Sequence, residues 1–211
     1  MALATLAIID YGMGNLHSVS KALARLNTEN GSRYDIIITS DPSVIKSAAK
    51  VVLPGVGAFG DCMANLESYG LVEVIQEVAG RGTPFLGICL GLQLLFDGSE
   101  EAPGVPGLGI IPGMVRKIVA PELKIPHMGW NNLEFRTQSQ LFAGLKVMPY
   151  VYFVHSYHAV PDNQAVVTAV TEYGGAVTAA VGCGNVQAVQ FHPEKSSATG
   201  LAILANFVRC V

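Results

Sequence analysis

Charged side chains are scarce in this sequence of 211 residues: Asp, Glu, Lys and Arg make up 14%, and the formal net charge is -3. The sequence therefore lacks the excess of positive charge with which proteins bind nucleic acids and other polyanions. It also contains no block of like charges that would indicate an acidic or basic tail. We expect no nucleic-acid partner.

Long hydrophobic runs are also missing, because no apolar segment approaches the roughly 20 residues that span a bilayer. The apolar start, MALATLAIIDYG, has no basic residues in front of it and soon reaches Asp10, so it predicts a first strand rather than a signal peptide. We expect no membrane partner and a cytoplasmic location. Half of the residues are hydrophobic, which predicts one domain with a large core over residues 1–211.

Cysteine is rare, and its four copies, Cys62, Cys89, Cys183 and Cys210, are far apart. Their spacing fits neither a disulfide framework nor a zinc site, and it is typical of proteins from a reducing compartment. We expect no metal and no cofactor. Cys62, Cys183 and Cys210 are interpreted as structural residues.

The apolar segments present predict an α/β fold with a mainly parallel central sheet, helices on both faces and antiparallel edge strands. Helices are predicted at His17–Leu26, with Asn15 as the cap, over Asp61–Arg81, at Leu90–Phe96 and at Ser197–Val208. A loop is predicted between Gly98 and Gly113. The predicted strands are Leu3–Ile9, Asp35–Thr39, Lys50–Leu53, Pro84–Ile88, Met114–Val119, Tyr150–His158, Ala165–Glu172, Thr178–Val181 and Val186–Gln190.

Cys89 lies between Gly87 and Gly91, where a predicted strand becomes a predicted helix. A residue at such a sharp turn has a strained backbone, and flanking glycines avoid the clashes that Cβ atoms would cause. The helix N-terminus would favour a thiolate. The alternative is a small buried cysteine in a packed corner, but the carboxyl end of a parallel strand is where α/β proteins place their sites. Cys89 is therefore a candidate nucleophile.

A thiol nucleophile needs a proton carrier and a group that orients it. His192 and Glu194 follow the strand Val186–Gln190, and residues two apart in extended backbone point the same way. They are candidates for the base and for its orienting acid, whereas a polar surface loop is the alternative interpretation. Acyl chemistry also needs oxyanion donors, for which the Leu90 amide and the glycine-rich loop Pro54–Gly60 are suitable.

The same loop contains Gly55, Gly57 and Gly60 in the spacing of a dinucleotide-binding motif. We reject that function because the next strand ends in Cys89 rather than in an acid that would bind a ribose. His155 and His158 would face opposite sides of one strand, which argues against a metal site. Ser156 is interpreted as part of a pocket wall, His17 as a helix-start residue and His127 as a loop residue.

The segment GICLGLQ around Cys89, together with HPE at residues 192–194, resembles the class I glutamine amidotransferases and their Cys-His-Glu triad. Within that class, the sequence is similar to the glutaminase subunits of imidazole glycerol phosphate synthase, nearly from end to end. The segments that carry this similarity are DYGMGN (10–15), LPGVGAFG (53–60), PHMGWN (126–131), YFVHSYHA (152–159) and QFHPEKS (190–196).

The resemblance implies that Cys89 attacks L-glutamine, His192 transfers protons and Glu194 orients His192, releasing glutamate and ammonia. It places Gly57 and Leu90 at the oxyanion hole. It also implies a heterodimer with a (β/α)8 cyclase subunit that uses the ammonia to make imidazole glycerol phosphate and an aminoimidazole carboxamide ribonucleotide in histidine biosynthesis. The positions that match glutamine contacts are Gln93, Ser156 and Tyr157, and those that match interface motifs are Asn15, Met128, Trp130, Tyr152 and Lys195.

Three alternatives remain open. The first is the glutaminase component of another amidotransferase, such as one for purine or pyridoxal phosphate synthesis. The second is a peptidase or other thiol hydrolase with the same nucleophile turn. The third is a binding module that has lost catalysis, against which the complete set of Cys89, His192 and Glu194 argues.

Overall fold

The computed structural model describes residues 3–31 and 33–210, and the side chain of Cys210, expected to be structural, lies outside the described part. The helices are α1 (Leu16–Glu29), α2 (Pro42–Ser47), α3 (Phe59–Ser68), α4 (Val72–Gly80), α5 (Leu90–Gln93) and α6 (Ser197–Cys210). The strands are β1 (Ala4–Ile9), β2 (Tyr34–Thr39), β3 (Lys50–Gly55), β4 (Phe85–Cys89), β5 (Gly98–Ser99), β6 (Gly113–Lys117), β7 (His127–Asn132), β8 (Glu134–Phe135), β9 (Tyr150–His155), β10 (Tyr157–Pro161), β11 (Val167–Glu172), β12 (Ala176–Cys183) and β13 (Val186–Val189).

The central sheet has, among the described residues, eight strands in the order β2-β1-β3-β4-β13-β12-β11-β8. Neighbours from β2 to β13 run parallel, and β12, β11 and β8 continue the sheet in antiparallel pairs. Every residue of β3 and β4 is buried, as expected for parallel strands covered on both faces. The expected α/β fold with a mainly parallel sheet and antiparallel edge strands is confirmed.

Helices cover both faces of this sheet. Leu23 of α1 and Phe207 of α6 pack into the core on one face. Ile45 of α2, Phe59 of α3 and Ile75 of α4 pack into the core on the other face. The sheet is thus buried on both sides, and its strand ends remain as the places where a site can open.

Two predicted elements are each divided in the structure. The helical pattern over Asp61–Arg81 forms α3 and α4, separated at Tyr69–Leu71, where Gly70 has a φ of +66° that continues no helix. The predicted strand Tyr150–His158 breaks at Ser156 into β9 and β10, which pair with β7 and β6 respectively. His155 and His158 consequently belong to different strands, so the argument from one strand's two faces does not hold.

The segment Pro126–Asn131, in which His127 was expected to be a loop residue, contains most of β7. Its strand forms because β9 supplies an antiparallel partner from His127↔His155 to Asn132↔Tyr150. Glycine and asparagine have low strand propensity, and tertiary pairing overrides it here. We call the pair β7 and β9 the ribbon.

No helix in residues 3–31 and 33–210 has the length and apolar character needed to cross a membrane.

Candidate active site

Cys89 ends β4 in a strained backbone conformation, with φ 56° and ψ -110°. This region is rarely occupied by residues other than glycine, so the surrounding structure must hold it. A Cβ on Gly91 would lie 1.9 Å from the Leu53 carbonyl oxygen, and one on Gly87 would lie 2.8 Å from the Gly91 carbonyl oxygen. The predicted sharp turn and the need for both glycines are confirmed.

The helix after Cys89 is shorter than predicted. Leu90–Phe96 was expected to be helical, but α5 is a single turn that ends at Gln93. One turn aligns few peptide dipoles, so the field that this helix N-terminus exerts at Cys89 is smaller than that of a longer helix. Other neighbours of the sulfur therefore matter more. Gln190 places its side-chain amide nitrogen 3.9 Å from the Cys89 sulfur.

His192 and Glu194 come together directly after β13, the strand beside β4. His192 Nδ1 lies 2.9 Å from Glu194 Oε1, and the two side chains are 3% and 0% exposed. Because Nδ1 binds the carboxylate, Nε2 is the ring nitrogen that remains for the proton of a nucleophile. The structure brings both residues to the cavity end of the sheet, as their spacing predicted.

Burial by itself would lower the pKa of His192, but hydrogen bonds with Cys89 and Glu194 and the negative charges of these two groups outweigh it. They raise the pKa to about 9. His192 therefore keeps its proton at neutral pH, and a cationic imidazolium lies beside the sulfur.

Asn15 does not act as the predicted helix cap. It occupies the position before α1, but its side chain makes no capping hydrogen bond. Its amide nitrogen instead donates to Glu194 Oε1 over 3.4 Å. The second carboxylate oxygen, Oε2, is buried and has no partner among the described residues. His192 is therefore the nearest hydrogen-bonding partner of the Glu194 carboxylate.

Cys89 and His192 open into a cavity of about 300 Å³. The same cavity is lined by all of the residues expected at the oxyanion hole and at the glutamine contacts, namely Gly57, Leu90, Gln93, Ser156 and Tyr157. A larger surface hollow of about 720 Å³ along residues 135–145 is lined by no cysteine, histidine or carboxylate. The smaller cavity therefore has the reactive groups.

Gln93 fixes one wall of this cavity. Its amide nitrogen donates to the Tyr157 carbonyl oxygen over 2.9 Å and to Gln190 Oε1 over 3.0 Å. Gln190 in turn reaches the sulfur of Cys89. The wall formed by Tyr157 is thus connected to the nucleophile through two buried amides.

The loop after β3 presents its backbone to the same cavity. Gly57 has a φ of +102°, and a Cβ there would lie 2.8 Å from the Met13 methyl carbon. The Cys62 thiol donates to the Val56 carbonyl oxygen over 3.5 Å, and the Tyr11 hydroxyl donates to the Pro54 carbonyl oxygen over 2.9 Å. In a planar trans peptide the Gly57 N–H points opposite to the Val56 carbonyl, so it faces away from Cys62.

Cys62 is unreactive in this setting because burial raises the pKa of its thiol to about 11. This agrees with its interpretation as structural, although it also binds the loop at the cavity. Cys183 is exposed. No group of three potential metal ligands occurs in the part of the chain that the structure describes.

Three of the expected interface residues lie along the ribbon, and the other two, Asn15 and Lys195, lie beside Glu194. Met128 and Trp130 of β7 are 61% and 51% exposed. Trp130 pairs with Tyr152 of β9, and their rings meet edge to face at 6.2 Å. Lys195 is exposed one residue after Glu194. Met128 and Trp130 thus form an exposed apolar surface on the ribbon, and Val154, the partner of Met128 in β9, lines the cavity.

Sequence reasoning missed four residues at or near the cavity. Glu101 and His155 line it, Gln190 touches the nucleophile, and His127 contacts His155. His127 was expected in a loop, but it is 2% exposed and lies in β7. Only contacts between distant segments place these residues together, so their local sequence carries no signal of it.

Comparison with known families gives a clear assignment. Residues 7–210 match the family described as glutamine amidotransferase class-I. The chain belongs to the class I glutamine amidotransferase family. Three similar proteins are called imidazole glycerol phosphate synthase subunit HisH. That of Moorella thermoacetica is 54% identical, over 96% of this chain and 93% of the relative; that of Aquifex aeolicus is 50% identical, over 96% and 95%; and that of Methanothermobacter thermautotrophicus is 50% identical, over 98% and 98%.

Solved structures of amidotransferases share the fold. A glutamine amidotransferase crystal structure superposes with a TM-score of 0.70 at 19% identity, covering 96% of this chain and 99% of the other. A glutamine amidotransferase from Thermotoga maritima gives a TM-score of 0.62 at 18% identity, covering 94% and 80%. At these identities the likeness concerns the fold alone.

Proposed function

We propose that residues 1–211 form a single glutaminase domain, the subunit of an imidazole glycerol phosphate synthase that hydrolyses L-glutamine to glutamate and ammonia. The observation that carries this proposal is that Cys89 and His192 line one cavity while the buried carboxylate of Glu194 binds His192. Membership of the class I amidotransferases and about 50% identity with named HisH subunits support it.

The first half of the reaction forms a thioester. The sulfur of Cys89 attacks the side-chain carboxamide carbon of glutamine, and the carbonyl oxygen becomes an oxyanion. His192 then gives its proton to the amide nitrogen, the C–N bond breaks, and ammonia leaves. The pKa of about 9 favours this step because His192 holds a proton at neutral pH.

The second half restores the enzyme. His192, now neutral, takes a proton from a water molecule that attacks the thioester carbon, and the C–S bond breaks to release glutamate. Glu194 keeps Nδ1 of His192 protonated, so Nε2 serves as base and acid in turn. Each step thus moves one proton through a single nitrogen.

Backbone amides stabilise the oxyanion in this mechanism. The Leu90 amide follows the nucleophile directly, and Leu90 and Gly57 both line the cavity. The contact between Cys62 and the Val56 carbonyl supports this role because it fixes the orientation of the 56–57 peptide.

The charge of Glu101 suits an amino acid substrate. Its Oε2 accepts a hydrogen bond from the Phe59 amide over 2.9 Å, which holds the side chain at the cavity. We infer that Oε1 is then available for the α-ammonium group of glutamine. Ser156 and Tyr157 line the cavity where the rest of the substrate would be held.

The ammonia requires an acceptor, because free ammonia is protonated and lost in water. We propose that a (β/α)8 cyclase subunit docks on the exposed surface formed by Met128 and Trp130, with Asn15, Tyr152 and Lys195 at its border. An exposed tryptophan packed on a tyrosine is typical of an interface anchor. The pair would be a cytoplasmic heterodimer that channels ammonia in a lyase-type synthase.

The test measures glutamate release and cyclase binding in a variant that lacks the proposed nucleophile. We expect Cys89→Ala to abolish glutamate release while leaving the unfolding temperature and co-purification with untagged cyclase unchanged. Cys183→Ala is the matched control, because that exposed thiol is remote from the mechanism and its loss should leave activity intact.

The wild-type chain should release glutamate slowly alone and faster with the cyclase and its nucleotide ligand. Unchanged glutamate release by Cys89→Ala would refute the nucleophile. Hydrolysis of peptides or esters in place of glutamine would identify a thiol hydrolase instead. Full turnover without any partner would contradict the proposed coupling to a cyclase.

A further inference from the structure

Two buried histidines outside the triad lie beside the cavity. His127 of β7 and His155 of β9 are 2% and 6% exposed, and His127 Nδ1 lies 3.1 Å from His155 Nε2. His127 stacks between Phe153 and Tyr173, with ring centroids 4.7 and 3.9 Å away. The mechanism described above uses neither imidazole.

The hydrogen bonds determine where the protons of both rings lie. His155 Nδ1 is 2.8 Å from the Tyr157 carbonyl oxygen, which only accepts, so Nδ1 must carry the proton. In a neutral ring, Nε2 of His155 is then an acceptor. The proton between the two rings must therefore belong to Nδ1 of His127, and Nε2 of His127 is an acceptor as well.

Asn131 completes the chain with the correct polarity. Its Oδ1 accepts from the Asn132 amide over 2.9 Å, so its nitrogen is identified as Nδ2. Nδ2 lies 3.3 Å from His127 Nε2 and donates to the Glu172 carbonyl over 2.9 Å. One hydrogen of Asn131 Nδ2, the Nδ1–H of His127 and the Nδ1–H of His155 thus donate in sequence towards the Tyr157 carbonyl.

The Tyr157 carbonyl is the point where this chain meets the cavity. It accepts one hydrogen bond from His155 and a second from Gln93, at 2.8 and 2.9 Å. Both of its lone pairs are therefore used, and the peptide after Tyr157 has one orientation. Ser156, the bend between β9 and β10, and Tyr157, the first residue of β10, both line the cavity.

We propose that His127 and His155 are positioning residues for the substrate, because their directed hydrogen bonds orient the Ser156–Tyr157 segment against which the amino acid binds. This inference rests on the proposed function for the identity of the substrate. It assigns to the ribbon a role inside the pocket, since each strand contributes one histidine of the pair.

The first test compares two replacements of the same histidine. In His155→Asn, the side-chain nitrogen occupies the place of Nδ1 and can still donate to Tyr157, whereas His155→Phe keeps ring volume but has no donor. We expect the KM for glutamine to rise about tenfold in His155→Phe and to stay within about threefold of wild type in His155→Asn, with kcat changed less than KM in both.

A merely structural role predicts the opposite order. Phenylalanine fills a buried site better than asparagine, so packing alone would make His155→Asn the more impaired variant. That order, or a wild-type KM in His155→Phe, would overturn the proposal. The assay uses the full chain with its cyclase, and unfolding temperatures establish that each variant is folded.

The second test determines which ring nitrogen of His127 and of His155 carries the proton. Long-range ¹H–¹⁵N correlation spectra of the five histidines in the full chain should show His127 and His155 both neutral with the proton on Nδ1 at pH 7. The His127→Asn and His155→Asn variants assign the signals. A proton on Nε2 of either ring would overturn the proposal, even if a phenylalanine variant failed to fold.

The two tests separate this inference from the proposed function. If the wild-type chain with its cyclase releases no glutamate, the proposed function fails, and the spectra still decide whether the directed chain of hydrogen bonds exists. If glutamate is released and the spectra show the other tautomer, the positioning role alone fails.

Discussion

His192 and His155 line the same cavity and are almost equally withdrawn from solvent, at 2% and 6% exposed, yet their pKa values move in opposite directions. The pKa of His192 rises to about 9, and burial lowers the pKa of His155 to about 3. Burial disfavours the cationic ring in both cases. The difference comes from the partners, since Glu194 and Cys89 face His192, whereas His155 meets a carbonyl and neutral or cationic rings.

Histidine therefore has two different roles at this cavity. Hydrogen bonds and negative charge from Cys89 and from the Glu194 carboxylate, 2.9 Å away, make His192 a proton carrier that is charged at rest. Without a carboxylate partner, His155 and His127 remain neutral, and each has one fixed donor and one fixed acceptor. The first arrangement suits proton transfer, and the second suits the orientation of a backbone.

Glu194→Gln removes the charge that distinguishes His192 and should have the largest effect. Glutamine retains an oxygen that can accept from Nδ1, so the ring stays in place while its pKa falls towards the ordinary range. We expect kcat for glutamine hydrolysis to fall by about a hundredfold or more. Steady-state glutamate release in the presence of the cyclase measures this effect.

Glu134→Gln, on an exposed carboxylate of β8, is the control and should retain wild-type kcat. Wild-type kcat in Glu194→Gln would show that the charge of Glu194 is not what makes His192 useful.

Acid should destabilise the fold because it protonates the buried neutral rings of His127 and His155. The pKa of His127 is lowered by burial to about 4, and that of His155 to about 3, whereas the unfolded chain binds these protons near pH 6.5. Stability is therefore lost as pH falls below 6.5. Between pH 7 and pH 5 we expect a loss of about 2 kcal/mol for each ring.

Urea unfolding at several pH values measures this slope. His155→Phe should remove about half of the acid-induced loss of stability that comes from His127 and His155. His17→Asn, on the exposed side of α1, should leave the pH dependence of the unfolding free energy unchanged. If the free energy of unfolding falls equally with acid in His155→Phe and in wild type, His155 is not the neutral buried ring that the comparison with His192 requires.

Alkaline conditions should produce a smaller change, through loss of the His192 proton. Its raised pKa contributes stability that is complete below pH 6.5 and is lost as pH rises through about 9. We expect the free energy of unfolding to fall by about 2 kcal/mol between pH 7 and pH 9. The same urea titrations should show this fall in wild type and a much weaker one in Glu194→Gln.

Local patterns predicted the features that depend on neighbouring residues. Gly87 and Gly91 around Cys89 predicted the strained turn, because the clashes they avoid lie within a few residues and one adjacent strand. Apolar runs alternating with helical segments predicted the sheet and its two covered faces. Membership of the class I amidotransferases, expected from short motifs, is confirmed.

Features that depend on distant pairing were predicted less well. β7 was missed because its glycine and asparagine residues form a strand only when β9 lies beside them. Asn15 was expected to cap α1, but Glu194, far away in sequence, competes for its side chain. The catalytic, oxyanion, glutamine and interface roles of individual residues remain predictions. The structure places Cys89, His192 and the expected oxyanion and glutamine residues at one cavity, with Glu194 bound to His192.

The sequence by itself determined the alternation of strands and helices, the sharp turn at Cys89 and the adjacency of His192 and Glu194, because each depends on spacing along a few residues. Only the tertiary structure decided which histidines are cationic and which are neutral. That property depends on the charges and hydrogen bonds within a few ångströms of a buried ring, and folding brings those groups together from segments that are remote in the chain.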